Sequence, residues 1–349
     1  MKQVVLPVAM KFAPRACWLM IFLLWMMVSS PGYGQSLCSG WALANRAYYE
    51  PLIAEPRAAN LSITAIALSD EFPFVVKPGK RAVWDITLGK EIPIWGCESR
   101  SSATAFLPPG NWGFGIWLPV SFHMVEDFKD PSAPILNTEY RFSGMVKVQR
   151  ALENDRFLNF RFQFGHESTH LGDEFSLAAS ALHPDFERVN VSYEYWEYGI
   201  SYEWFVNDSH MFKIRNGGIG LLNPSNGFYS STLLDPSQTV ITRSARNFEP
   251  YFGFEWTPDS DKGGTWQMFA SVDARYKIIY DYHKVNDEAA EDKQWSFNLL
   301  VGIRNVQQGF LKKGVPSPFF RFYHGVNPNG QFRTQRDYTL VGVGIHVPL

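Results

Sequence analysis

The stretch RFLNFRFQFGHESTH, Arg156 to His170, admits two readings that imply different proteins. Its last five residues match H-E-x-x-H, the zinc-protease pattern. That pattern needs a helix, because only helical pitch brings residues i and i+4 onto one face around a metal. The preceding residues argue for a strand. Leu158, Phe160, Phe162 and Phe164 are apolar, while Asn159, Arg161 and Gln163 are polar. This is a period of two, not 3.6. Gly165 begins a helix poorly, and Ser168 and Thr169 weaken one further. Gly172 also falls one place early for the H-x-x-G-x-x-H extension that would bring a third ligand. The stretch is expected to be a strand, and the zinc-protease reading is set aside.

The same period runs through the chain after residue 60. From Trp266 to Tyr280 every even position is apolar, and the odd positions include Gln267, Ser271, Asp273, Arg275 and Lys277. Trp295, Phe297, Leu299, Val301 and Ile303 form one face of the next such run, and the even positions from Trp112 to Met124 are again all apolar. A soluble sandwich also alternates. Here, however, one face carries Arg, Lys, Asp and Gln in quantity, and the other carries Trp, Tyr and Phe, often at strand ends. That is an apolar outside with aromatic girdles around a polar inside. The expected fold is all-β: a single antiparallel transmembrane β-barrel of about twelve strands. The strands fall near 61–69, 82–96, 112–124, 136–149, 156–168, 188–205, 211–222, 247–256, 264–280, 293–303, 317–327 and 336–348. Residues 188–205 could be a hairpin turning near Tyr195-Trp196, but nothing at that point is a turn residue, so the stretch reads as one tall strand. The last strand, TLVGVGIHVPL, resembles the C-terminal signal of bacterial outer-membrane proteins, with Leu349 where an aromatic is usual.

Lys2, Lys11 and Arg15 precede a short apolar core, Cys17 to Val28, with Gly32 and Gly34 ahead of a cut before Gln35. Residues 1–34 therefore read as a signal peptide. Residues 35–60 read as a periplasmic lead-in and 61–349 as the barrel, which gives an exported bacterial outer-membrane protein. The last strand should finish in the periplasm. Counting back, segments 224–247, 281–294 and the one after His170 lie outside, and 151–156 is a periplasmic turn. Cys97 then shares a compartment with Cys38, so the two can form a disulfide. The formal net charge of −2 gives no footprint for nucleic acid. The residues imply no cofactor. Asp173, Glu174 and Asp185 could take calcium, but their spacing matches no EF-hand.

On a strand, HESTH carries different chemistry. His166, Ser168 and His170 continue the even, outward face. An outward His and Ser two apart suit a base and a nucleophile. Outer-membrane phospholipase A and the lipid A deacylases are similar in this respect, with His-x-Ser on an outward barrel wall and an Asn or acid on a following strand. The resemblance implies a lipid acyl-ester hydrolase acting on outer-membrane lipids, with His166 as base, Ser168 as nucleophile, and Asn190 or Glu194 orienting the imidazole. Thr169-His170 stands where the phospholipase has Asn-Gly. The alternative is a non-enzymatic barrel, structural or a narrow pore. The mixed charges of Arg161, Gln163, Asp273, Arg275 and Lys277 suit internal salt bridges. The segments YYEPLIAEPR (48–57), HESTHLGDEF (166–175) and ERVNVSYE (187–194) are similar to those of a bacterial family catalogued as a domain of unknown function, DUF1207. That resemblance implies exported β-rich structure and no particular activity.

Overall fold

A computed structural model describes residues 37–38, 52–55, 58–68, 82–98, 110–127, 135–153, 156–173, 181, 189–206, 210–222, 228–230, 248–258, 266–279, 293–307, 310–311, 315–329 and 335–347. The leader 1–34, segments 224–227, 231–247 and 281–292, and Glu174 and Asp185 lie outside the described residues.

Alternation builds the strands. A residue pair rises about 6.6 Å with side chains on opposite faces, so each run of alternating sequence has one wet face and one greasy face. Twelve such runs, among the described residues, form the wall: β1 Leu61–Leu68, β2 Ala82–Glu98, β3 Trp112–Asp127, β4 Ile135–Ala151, β5 Phe157–Leu171, β6 Val189–Val206, β7 His210–Leu222, β8 Phe248–Pro258, β9 Trp266–Ile278, β10 Lys293–Gln307, β11 Ser317–Gly325 and β12 Tyr338–Val347. Each pairs antiparallel with its neighbours in sequence. The ring closes where β12 pairs with β1, Val347 opposite Leu61 and Val341 opposite Ala67. Closure leaves no open edge, which a barrel in lipid requires. Residues 188–205 are indeed one strand, the 18-residue β6. Short strands extend the wall: Leu37–Cys38 on β2, Phe228–Ser230 on β6 and Phe310–Leu311 on β10.

The faces sort as the alternation requires. Phe142, Phe164, Met268, Trp295 and Val343 are exposed on the outside, while Arg161, Gln163, Asp273, Arg275 and Lys277 are buried inside. No helix among the described residues is long and apolar enough to cross a membrane. Odd strands begin, and even strands end, at one end of the barrel, called here the near end. Leu37–Cys38 pairs with Cys97–Glu98 there, with Cys38 opposite Cys97. Cys97 is disulfide-bonded.

The lead-in expected over 35–60 needs correction at its described end. Leu52, Ala54, Glu55 and Ala58 are buried inside the barrel instead of lying below it. The physical reason is room. An eight-strand barrel is filled by its own side chains, and a wider ring is not. Two turns fold the segment compactly: Glu55 N–H donates to Leu52 O at 2.9 Å, and Ala58 N–H to Glu55 O at 3.3 Å. The wall then satisfies its backbone. Ile53 N–H donates to Glu255 (3.0 Å), Ala54 N–H to Ser271 Oγ (3.2 Å), and Asn298 Nδ2 donates to Ala54 O (2.6 Å). Gly253 makes the space, because a Cβ there would fall 2.1 Å from Leu52 Cδ1.

Glu55 ties segment to wall. Its carboxylate is bonded by Arg161 and Arg215, and Arg275 lies 3.5 Å away. Asp273 joins the group at 2.6 Å from both Arg215 and Arg275, and Glu197 lies 2.5 Å from Arg161. Burial alone would raise the Glu55 pKa, but the three guanidinium groups outweigh it and hold the carboxyl well below the usual range. A depressed folded pKa adds stability above the unfolded value of roughly 4.3, and that stability is lost as pH falls further. The unfolding midpoint in denaturant should therefore be flat from about pH 8 to about pH 5 and drop below about pH 4. Arg161→Ala, which leaves Glu55 and Glu197 short of a cation, should cost about 3–5 kcal/mol in the same measurement at neutral pH.

Candidate functional site

HESTH lies on β5, at the end of the barrel opposite the near end. Gly165 packs inward beneath the next layer: a Cβ there would fall 2.5 Å from Phe142 O and 2.8 Å from Tyr195 Oη. From that point the letters alternate. Glu167 and Thr169 are buried in the lumen, and His166, Ser168 and His170 are on the outer wall. On a strand, His166 and His170 are separated by about 13 Å of rise. Glu167 points the opposite way, where Tyr193 Oη donates to it at 2.5 Å and Arg141 lies 3.4 Å off. Among the described residues no group of three or more His, Cys, Asp or Glu could hold a metal ion. The letters match the protease motif, but the geometry opposes it at every position.

The outward residues form a patch across β5 and β6. Register sets it: His166 is opposite Glu194, and Ser168 is opposite Ser192. Ser192 Oγ lies 3.3 Å from His166 Nε2. Glu194 Oε1 lies 3.6 Å from His166 Nδ1, an ion-pair separation slightly longer than a hydrogen bond. Ser168 Oγ is 2.9 Å from His170 Nε2. The expected His166–Ser168 pair is therefore rearranged. Ser168 bonds to His170, and the hydroxyl beside His166 comes from the neighbouring strand. Ser168 reaches an imidazole along its own strand, and Ser192 reaches one from the diagonal position across the ladder. Asn190 pairs with Tyr229 in the ladder, four residues further toward the rim than Glu194, and its side chain is outside those described.

The surroundings are those of an interface. Phe142 faces His166 across the β4–β5 ladder, and Tyr140 faces Ser168. The Tyr140 ring meets His170 edge-on at 6.1 Å. Trp196, Tyr198 and Phe248 stack beside Glu194, with centroids 5.8–6.4 Å apart. A small polar group framed by aromatic rings suits the boundary between acyl chains and headgroups.

Sequence reasoning placed His166, Ser168 and Glu194 on this wall. Ser192 has the same parity as Asn190 and Glu194 but was given no role. Only the β5–β6 register brings Ser192 to His166, and the 17 positions 172–188 between the strands are far more than the two-residue loop that would fix a register.

The protein-family model described as "Protein of unknown function (DUF1207)" matches residues 31–228, more than half of the chain, and the chain belongs to that family. No curated protein matches the sequence significantly. Among solved structures, the chain is similar to outer membrane phospholipase A from Escherichia coli, with TM-score 0.47, 11% identity, and 87% of this chain and 95% of that chain covered. It is also similar to the Salmonella typhi outer membrane phospholipase dimer with bound calcium (TM-score 0.42, 10% identity, 87% and 96% covered). A third is the translocator domain of autotransporter NalP from Neisseria meningitidis (TM-score 0.40, 9% identity, 85% and 91% covered). At such identities the likeness concerns the barrel alone.

Glu167→Gln separates the two readings of HESTH. It should lower the unfolding midpoint by removing a buried partner of Arg141 and Tyr193, leave the purified protein free of zinc as before, and leave any lipid-directed activity insensitive to zinc chelators. Stoichiometric zinc in the wild-type protein, with an activity abolished both by chelators and by Glu167→Gln, would restore the metalloprotease reading.

Proposed function

We propose that this member of the DUF1207 family resides in the bacterial outer membrane and hydrolyses acyl esters of membrane lipids at its outward wall. The observation that carries the reading is His166 standing between a hydroxyl and a carboxylate, Ser192 Oγ at Nε2 and Glu194 at Nδ1. This is the order of roles in a nucleophile–base–acid triad. Catalytic contacts are often long before substrate binds. Ser192 Oγ attacks the ester carbonyl while His166 Nε2 takes its proton. The proton passes to the leaving alcohol as the C–O bond breaks. Water then attacks the acyl-serine, with His166 again taking and returning a proton, and a fatty acid leaves. Glu194 holds the imidazole ring and stabilises its charged form. Ser168, opposite Ser192 and bonded to His170, lines the same patch. Export through the leader and an outward-facing far rim belong to this proposal. They put the site against the outer leaflet, where its substrates are.

A second reading, a non-enzymatic structural barrel, draws on the packed lumen, in which Glu55, Arg161, Arg215 and Asp273 are all buried. Fatty-acid release from mixed micelles separates the two. Ser192→Ala and His166→Ala should each lower the rate by about 10²–10⁴. Glu194→Gln and Asn190→Ala should lower it more mildly, with the faster-migrating folded band unchanged. Loss on Ser168→Ala with Ser192→Ala tolerated would move the nucleophile to Ser168 and its base to His170. No release by wild type from phospholipid or lipopolysaccharide, with or without calcium, leaves the structural barrel.

A further inference from the structure

The outer face of β7 carries a group that lipid does not suit. Lys213 and Arg215 are buried inside the barrel, while Ile214 and Asn216 are exposed on the outer wall. Among the described residues the Asn216 side chain has no hydrogen-bond partner. From its place on the wall we infer that this face is an interaction surface, and that its partner is a second copy of this chain, joined amide to amide. The inference concerns the wall of β6–β8 and is independent of the chemistry at His166.

Register places Asn216 in the middle of the lipid-facing band. It lies opposite Ile200 on β6 and Phe252 on β8, and both of these are exposed. Four positions toward the near end, Phe212 pairs with Trp204 in a stack that includes Tyr202. Four positions toward the far end, Gly220 pairs with Trp196, which stacks with Tyr198 and Phe248. Two such aromatic levels mark the two edges of an apolar band. Asn216 is about 13 Å of strand from each, so its amide stands in hydrocarbon. An amide there without a partner gives up its hydrogen bonds to water and gains none.

Chemistry selects the partner. A carboxamide is donor and acceptor at once, so it complements its own image. Across a two-fold axis along the membrane normal, the side-chain N–H of each Asn216 donates to the Oδ1 of the other. A contact on such an axis is isologous, so Ile200 of one copy meets Phe252 of the other on both sides of the amide pair. The wall is also low here. Gly218 and Gly220 continue the outer face of β7, and rings lie flat over them: a Cβ would fall 2.1 Å from Phe248 Cζ and 2.2 Å from Trp196 Cε2. Small residues let two walls approach closely, and packing with hydrogen bonds then supplies the attraction, because lipid tails are as apolar as the side chains they touch. Lys90 on β2 is exposed as well, but an ammonium group only donates and repels its own copy.

Energy transfer between two fluorescently labelled populations of the full-length protein, diluted stepwise into phospholipid vesicles, tests the contact. Wild type should associate as a dimer. Asn216→Leu, which removes the amide at similar size, should keep the faster-migrating folded band and raise the dimer dissociation constant about three- to thirtyfold. Asn216→Gln, which keeps an amide, should retain most of the association. In native membranes Asn216→Cys should form a covalent dimer on mild oxidation, whereas Val343→Cys, exposed on β12, should not. Monomers at every dilution, undiminished association of folded Asn216→Leu, or cross-linking of Asn216→Cys to a different protein in place of its own copy would each overturn the inference.

Discussion

A charged group inside a barrel wall cannot be left alone. Lipid on one side and a crowded lumen on the other deny it bulk water, so each carboxylate or guanidinium needs a partner within the chain. The cluster around Glu55 meets this requirement, and much of the interior is organised about it. Arg161 comes from β5, Arg215 from β7, and Asp273 and Arg275 from β9. One carboxylate on a short inserted segment thus ties together strands spread along one arc of the wall. Tyr251 completes the cluster from β8, with its ring 4.6 Å from the Arg215 guanidinium and 4.9 Å from that of Arg275. The far side of the lumen repeats the arrangement on a smaller scale. Asp85 receives Arg321 at 2.8 Å and lies 2.6 Å from His123, which in turn stands 3.5 Å from Glu139.

The wall was legible from residue order because lipid imposes a strict rule on it. A barrel strand must present apolar groups outward at every second position, and no tertiary detail can override that without exposing charge to hydrocarbon. Hence β6 could be read as one strand from the absence of turn residues at Tyr195-Trp196, and the outward parity of His166, Ser168 and Glu194 followed directly. The interior was less legible. YYEPLIAEPR carries no alternation, and a stretch with Pro51 and Pro56 around Glu55 reads as a lead-in to the barrel. Its place in the lumen depends on partners whose positions only the closed ring defines.

The outward patch shows the same limit on a finer scale. Which residues face lipid is a one-strand property. Which hydroxyl reaches which imidazole is a two-strand property, set by register. A slip of two residues between β5 and β6 would keep every side chain on its face, yet would move Ser192 away from His166 and put a different residue opposite it. Ser168 and Ser192 are equivalent in parity, and only the ladder distinguishes them.

The inserted segment also bears on the order in which the molecule can be made. Glu55 meets Arg161 across 106 residues, Arg215 across 160, and Ala54 meets Asn298 across 244. The first barrel strand follows the segment immediately, and the final seam joins that strand to the last one. A segment carrying Glu55 cannot be pushed sideways through a finished wall. Either the wall must curl around the segment while β1 and β12 are still apart, or the segment must enter through an end afterwards. In the first case the earliest residues of the barrel region act as a mandrel, and the last-made strand completes the ring over a core that is already charged and paired.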